Sequence, residues 1–172
     1  MKTLSINKYV LFILATILMM TVLMSLVSCE QEGVEPELAT APGGGTISTY
    51  KAYALDSITG MKNVYGRIVF WKDNASNTLV QLSLYNTKGD IVYPTGIYSG
   101  TVGGGSLTEL MSLYSIDGAT GEFGSSKFYV IGDKDFYNGL DEMDAYIRIL
   151  SGPDLVASGN VGSNADPVAT GE

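Results

Sequence analysis

The chain has no histidine and only one cysteine among its 172 residues. Without imidazole, Ser-His-Asp and Cys-His nucleophile systems are excluded, and the commonest general base at neutral pH is missing. The usual nitrogen ligand of zinc and copper is missing with it. A single cysteine makes no internal disulfide. Positive charge is also scarce, with 10 Lys and Arg against 18 Asp and Glu and a net charge of −8. That balance speaks against nucleic acid as a partner, because phosphate contacts need a basic surface. No long amphipathic helix can be traced either. What the chain has instead is 21 Gly, 11 Tyr and many short apolar runs, a composition that suits a small β-rich domain.

The lone cysteine, Cys29, follows the longest apolar run. Lys2 and Lys8 form a short positive segment, and no charge occurs from Tyr9 to Leu26. This is the pattern of a secretory signal, expected over residues 1–28. An uncleaved anchor is the alternative, since about 18 apolar residues can span a bilayer. The small residues Ser25 and Ser28 favour cleavage. Leu26-Val27-Ser28-Cys29 resembles a bacterial lipobox. The resemblance implies a diacylglyceryl group on the Cys29 thiol, and a membrane partner reached through it. Two or three acyl chains hold firmly, each buried methylene contributing about 0.8 kcal/mol. The expected location is the cell envelope, at the outer membrane of a Gram-negative bacterium.

Residues 29–45, E-Q-E-G-V-E-P-E-L-A-T-A-P-G-G-G after the cysteine, hold four Glu, two Pro and almost nothing bulky and apolar. They read as an acidic tether. Glu30 and Glu32 also resemble the surface-export signal of Bacteroidetes lipoproteins. The domain is expected over 46–164, with a disordered tail at 165–172.

Within the domain, T-L-V-Q-L-S-L-Y (78–85) alternates. Val80, Leu82 and Leu84 point one way, and Gln81, Ser83 and Tyr85 the other. V-Y-G-R-I-V-F-W-K (64–72) alternates as well, and K-D-N-A-S-N between the two runs predicts a hairpin over 64–85. Further strands are expected at 47–55, 91–93, 127–131, 145–150 and 155–161. Leu107 to Tyr114 fits a short helix or a strand, and Asp135 to Met143 fits one helical turn. About seven or eight strands joined by short loops predict an all-β fold, an antiparallel Greek-key β-sandwich of the immunoglobulin or superoxide-dismutase kind.

Three stretches resemble the CHRD family, named for domains of chordin and common in bacterial lipoproteins. Y-P-T-G-I-Y-S-G (93–100) resembles the family's Y-P-A-H-I-H-x-G, and I-D-G-A-T-G (116–121) resembles its V-D-G-A-T-G. D-A-Y-I-R-I-L with L-V-A-S-G-N-V-G (144–150 and 155–162) resembles its closing strands. The resemblance implies a sandwich like that of copper-zinc superoxide dismutase. Where the family carries His, this chain has Gly96, Tyr98 and Leu150. The metal site that those histidines imply is therefore not expected here. No cofactor and no catalytic residue are assigned.

Two other constellations carry chemistry. The acids Asp133, Asp135 and Asp141 are candidates for calcium, which takes oxygen ligands. The spacing does not fit an EF-hand loop, because Tyr137 holds its fifth place and Gly139 its seventh. Aromatic residues recur on the strands, and Tyr85 is the best exposed candidate for stacking on a glycan. Asp133 and Asp141 as paired carboxylates would make a hydrolase. The reading preferred is a non-catalytic binding or structural module whose partner is a glycan or another envelope protein.

Overall fold

The computed structural model describes residues 47–58, 63–123 and 127–172. The segments expected to be a signal (1–28) and a tether (29–45), with Cys29, lie outside the described residues. Among the described residues, no helix is long and apolar enough to cross a membrane.

The chain is an antiparallel β-sandwich. Its strands are β1 (Tyr50–Ser57), β2 (Tyr65–Lys72), β3 (Thr78–Tyr85), β4 (Val92–Tyr93), β5 (Thr95–Ser99) and β6 (Glu109–Ser112). They continue with β7 (Ile116–Asp117), β8 (Tyr129–Ile131), β9 (Asp144–Ser151), β10 (Asp154–Gly162) and β11 (Ala169–Gly171). One ladder runs β6-β5-β9-β10-β1-β2-β3-β8, and β4 pairs with β7 in a small separate sheet. The chain passes from β3 to β5, returns at β8 beside β3, and passes back to β9.

Strand β1 belongs to both halves of the ladder. Tyr50 to Leu55 pair with β2, whereas Asp56 and Ser57 pair with β10. The sheet curls about this strand, and its two inner faces share one core. Ile68, Phe70, Val80, Leu82 and Leu84 come from the first half, and Ile97, Ile147, Ile149 and Val161 from the second. All nine are at most 1% exposed, so any truncation among them costs both burial and a cavity.

The 64–85 hairpin forms as its alternation requires. Tyr65 to Lys72 pair residue by residue with Tyr85 to Thr78. Asp73 closes the turn. Its carboxylate accepts the Ala75 and Asn77 amides at 2.9 and 2.7 Å, and the Asn77 side-chain amide at 2.7 Å. Ser76 takes a left-handed conformation with φ 61°. A three-residue loop ending in that conformation is a common hairpin closure.

Three readings need correction or refinement. The tail read as disordered over 165–172 contains β11, which pairs Ala169, Thr170 and Gly171 with Ala52, Lys51 and Tyr50. Where β10 is not yet beside β1, the edge of β1 is free, and the tail fills it through backbone bonds that need no apolar pattern. The 107–114 segment holds the strand β6 at Glu109–Ser112 and no helix. Of the four residues in helical spacing, Leu107 and Leu110 are 67% and 51% exposed, whereas Met111 and Tyr114 pack on the core beside the buried Leu113. The 135–143 segment does turn, as α1 (Phe136–Gly139) followed by a 3-10 turn at Leu140–Glu142.

Candidate functional site

The exposed aromatic surface is built at the far end of the β2–β3 hairpin. Tyr65 and Tyr85 are cross-strand partners, so both point away from the core. Their ring centroids are 5.1 Å apart with a 21° interplanar angle. Phe123 extends the row, its ring 4.3 Å from that of Tyr85. Tyr65, Tyr85 and Phe123 keep 46%, 48% and 40% of their surface exposed.

Phe123 reaches this place because of the I-D-G-A-T-G turn. The Leu84 amide donates to the Gly121 carbonyl at 3.0 Å, which docks the turn on the end of β3. Gly121 has φ 57°, and a β-carbon there would lie 2.2 Å from the Leu84 carbonyl oxygen. Gly118 is equally confined, at 1.9 Å from the Lys88 carbonyl oxygen. A side chain at Gly121 would push the turn off β3, and one at Gly118 would push it off the loop that holds Lys88 and Ile91. Inside the turn, the buried Glu122 accepts from the Asp117 amide at 2.9 Å and from Lys127 at 3.2 Å.

Gly96, Tyr98 and Leu150, expected to replace histidines of a CHRD-like motif, come together. Gly96 and Tyr98 stand on β5, Leu150 stands on the neighbouring β9, and all three line one depression of about 220 Å³. Glu109 and Arg148 line it too. A bulge on β6 brings Glu109, rather than Leu110, opposite Tyr98. Arg148 lies over the Tyr98 ring with its guanidinium carbon 5.0 Å from the centroid. Burial, and then the Glu109 carboxylate, push the Tyr98 phenol above its ordinary pKa, while Arg148 pulls it down.

The acids proposed for calcium serve other ends. Asp133 accepts the Asp135 amide at 3.0 Å in its own turn. Asp141 is bridged to Lys51 at 2.8 Å, and Lys51 also lies 4.9 Å from the centre of the Tyr137 ring. Among the described residues no three acidic side chains converge as a cation would require. Asp141, Lys51, Asn164 and Asp166 edge an open groove of about 760 Å³ between the 3-10 turn, the end of β10 and β11.

Sequence reasoning anticipated that Tyr85 would be exposed, and it singled out Gly96, Tyr98 and Leu150, which line one depression. It missed Tyr65 as the stacking partner, Phe123, and Arg148. The alternation of β9 places Tyr146, Arg148 and Leu150 on one face, so Arg148 was within reach of the period-two pattern. Phe123 was not, because a turn has no such period. No protein-family model, curated protein or solved structure matches the chain.

Proposed function

We propose that the chain is a lipid-anchored protein of the cell envelope whose β-sandwich is a non-catalytic glycan-binding module. The observation that carries this reading is the row Tyr65–Tyr85–Phe123. Three adjoining rings, each more than a third exposed, present a continuous apolar strip on the outer face of a sheet. Sugar rings carry C–H faces that stack on such surfaces, and exposed apolar patches of this kind mark binding sites.

The anchor rests on the lipobox at Cys29, and the lack of catalysis on a chain without histidine. The CHRD resemblance belongs to the same reading. In its favour, Gly96, Tyr98 and Leu150, far apart in sequence, line a single depression, as the members of one motif-borne site would. Carboxylate-based hydrolysis by Asp133 and Asp141 is disfavoured, because Asp141 is occupied by Lys51.

Two measurements test this. Labelled palmitate should enter the protein in the envelope fraction and be lost in Cys29→Ser; equal labelling of that variant would overturn the anchor. Binding of the purified full chain in detergent micelles to a panel of neutral polysaccharides should be saturable and be lost in Tyr85→Ala. A panel without any binder, or full binding by Tyr85→Ala, would overturn the glycan site.

A further inference from the structure

We propose that the outer face of the second half of the sheet holds a binding site for a monoanionic carboxylate, anchored by Arg148. The site begins with a row across four strands. Gly96 is the register partner of Arg148 on one side, and Ser158 is its partner on the other. Ser112 follows beyond Gly96. On these four strands Arg148 is the only long side chain of the row, and Asp56 continues the row on β1 as the partner of Ser158. Space remains as a trough on both sides of it, about 220 Å³ towards β6, where Glu109 and the Tyr98 ring close over Gly96, and about 210 Å³ towards the 100–107 loop.

Arg148 is half-buried, and among the described residues no carboxylate lies within ion-pair distance of it. Among the described residues it lies against the face of Tyr98. Lys51 and Lys127 by contrast are engaged with Asp141 and Glu122, and Lys72 and Lys134 with amide and carbonyl oxygens. A guanidinium stays charged at every physiological pH, and its planar fork of N–H donors matches the two oxygens of a carboxylate.

Charge sets the limit on the ligand. Glu109 stands opposite Tyr98 and lines the same trough, its Oε1 3.0 Å from where a β-carbon on Gly96 would lie. Its carboxylate repels a dianion more than a monoanion, which selects a carboxylate over a phosphate. Leu150 on one side of Arg148 and Leu155 on the other offer apolar walls to the carbon skeleton. The space suits a single ring, such as a uronic acid, and no larger fused system.

The loop that borders the trough is held in place by the sheet. The Tyr146 hydroxyl donates to the Ser106 carbonyl, and the Val102 amide donates to the Asn160 side-chain oxygen at 2.8 Å. Glycines at positive φ, Gly103 at 82° and Gly105 at 79°, let the loop fold back.

The test is an amide-resolved NMR titration of the full chain in detergent micelles, with glucuronate as the probe at constant ionic strength. Glucuronate should shift the amides of Gly96, Ser112 and Arg148 saturably, and glucose should not. Arg148→Lys keeps the charge but loses the fork, so it should weaken binding by about tenfold or more. Arg148→Gln should abolish it. Failure of glucuronate to shift these amides, equal shifts with glucose, or undiminished affinity in Arg148→Lys would each overturn the site. Inorganic phosphate binding as tightly as glucuronate would overturn the choice of a carboxylate. Glycan binding at Tyr85 lies on the other half of the sheet and is read separately, so either site can fail alone.

Discussion

Tyr65 and Tyr85 face each other directly across β2 and β3, their rings stacked 5.1 Å apart, and both remain about half exposed. Exposed aromatic pairs are common in sheets as cross-strand stabilisers, so structure and binding must be separated by measurement. Tyr85→Ala should cost about 1 kcal/mol in urea unfolding, the scale of an aromatic pair. Tyr85→Phe should keep that stability, since the ring contacts with Tyr65 and Phe123 stay. A Tyr85→Phe variant as unstable as Tyr85→Ala would show that the hydroxyl, not the stacking, holds the pair.

The Gly121 turn should be intolerant of side chains. A β-carbon would meet the Leu84 carbonyl oxygen at 2.2 Å, in a left-handed conformation that L residues resist. Gly121→Ala is expected to destabilise by about 1–3 kcal/mol, as overpacking does. It should also displace Phe123 from Tyr85, seen as an altered near-ultraviolet circular dichroism spectrum. An unchanged melting temperature would refute the confinement.

Ser76 offers the opposite outcome. It holds φ 61° in a half-buried hairpin turn, and no glycine is there to relieve it. Ser76→Gly should stabilise the chain by up to about 1 kcal/mol, because the left-handed conformation costs L residues about that much. Chemical denaturation measures this, and a loss of stability would contradict it.

Asp73 makes the hairpin sensitive to acid. Burial alone would raise its pKa, but hydrogen bonds from Asn77 and Ala75, with Lys134 nearby, outweigh that and hold the carboxyl below its ordinary value. A depressed folded-state pKa contributes stability that is complete above the unfolded pKa of about 4 and is lost as pH falls through the folded value. Asp73→Ala should therefore cost about 1–2 kcal/mol at neutral pH, the range for a lost capping side chain. The gap from the natural chain should close on acidification below about pH 4. A gap that persists unchanged at pH 2 would refute the assignment.

At the alkaline end, buried tyrosines govern. Burial pushes the phenols of Tyr53, Tyr114 and Tyr137 up, with the Asp141 carboxylate adding to it at Tyr53 and Tyr137. A raised folded-state pKa contributes stability that is complete below the unfolded value of about 10 and is lost as pH rises through the folded one. Unfolding should thus set in above about pH 10, with these phenols ionising only as the chain opens. Absorbance at the phenolate band would follow it. Tyr114→Phe should lessen the steepness, although the Leu82 amide then loses the hydroxyl that accepts from it at 2.9 Å.

What the sequence alone determined is the facing of its strongest strands. Val80, Leu82 and Leu84 alternate with Gln81, Ser83 and Tyr85, and a pleated strand has no freedom to place them otherwise. The turn residues of 73–77 then join two such strands into a hairpin, since both signals are local. The exposure of Tyr85 follows from the same alternation. Only the tertiary structure decided which distant strands pair. It brought Gly96 beside Arg148, placed Phe123 against Tyr85, and laid Ala169 to Gly171 along β1. Such pairings are made by backbone hydrogen bonds, which are the same for every residue type, and so they leave almost no trace in side-chain order.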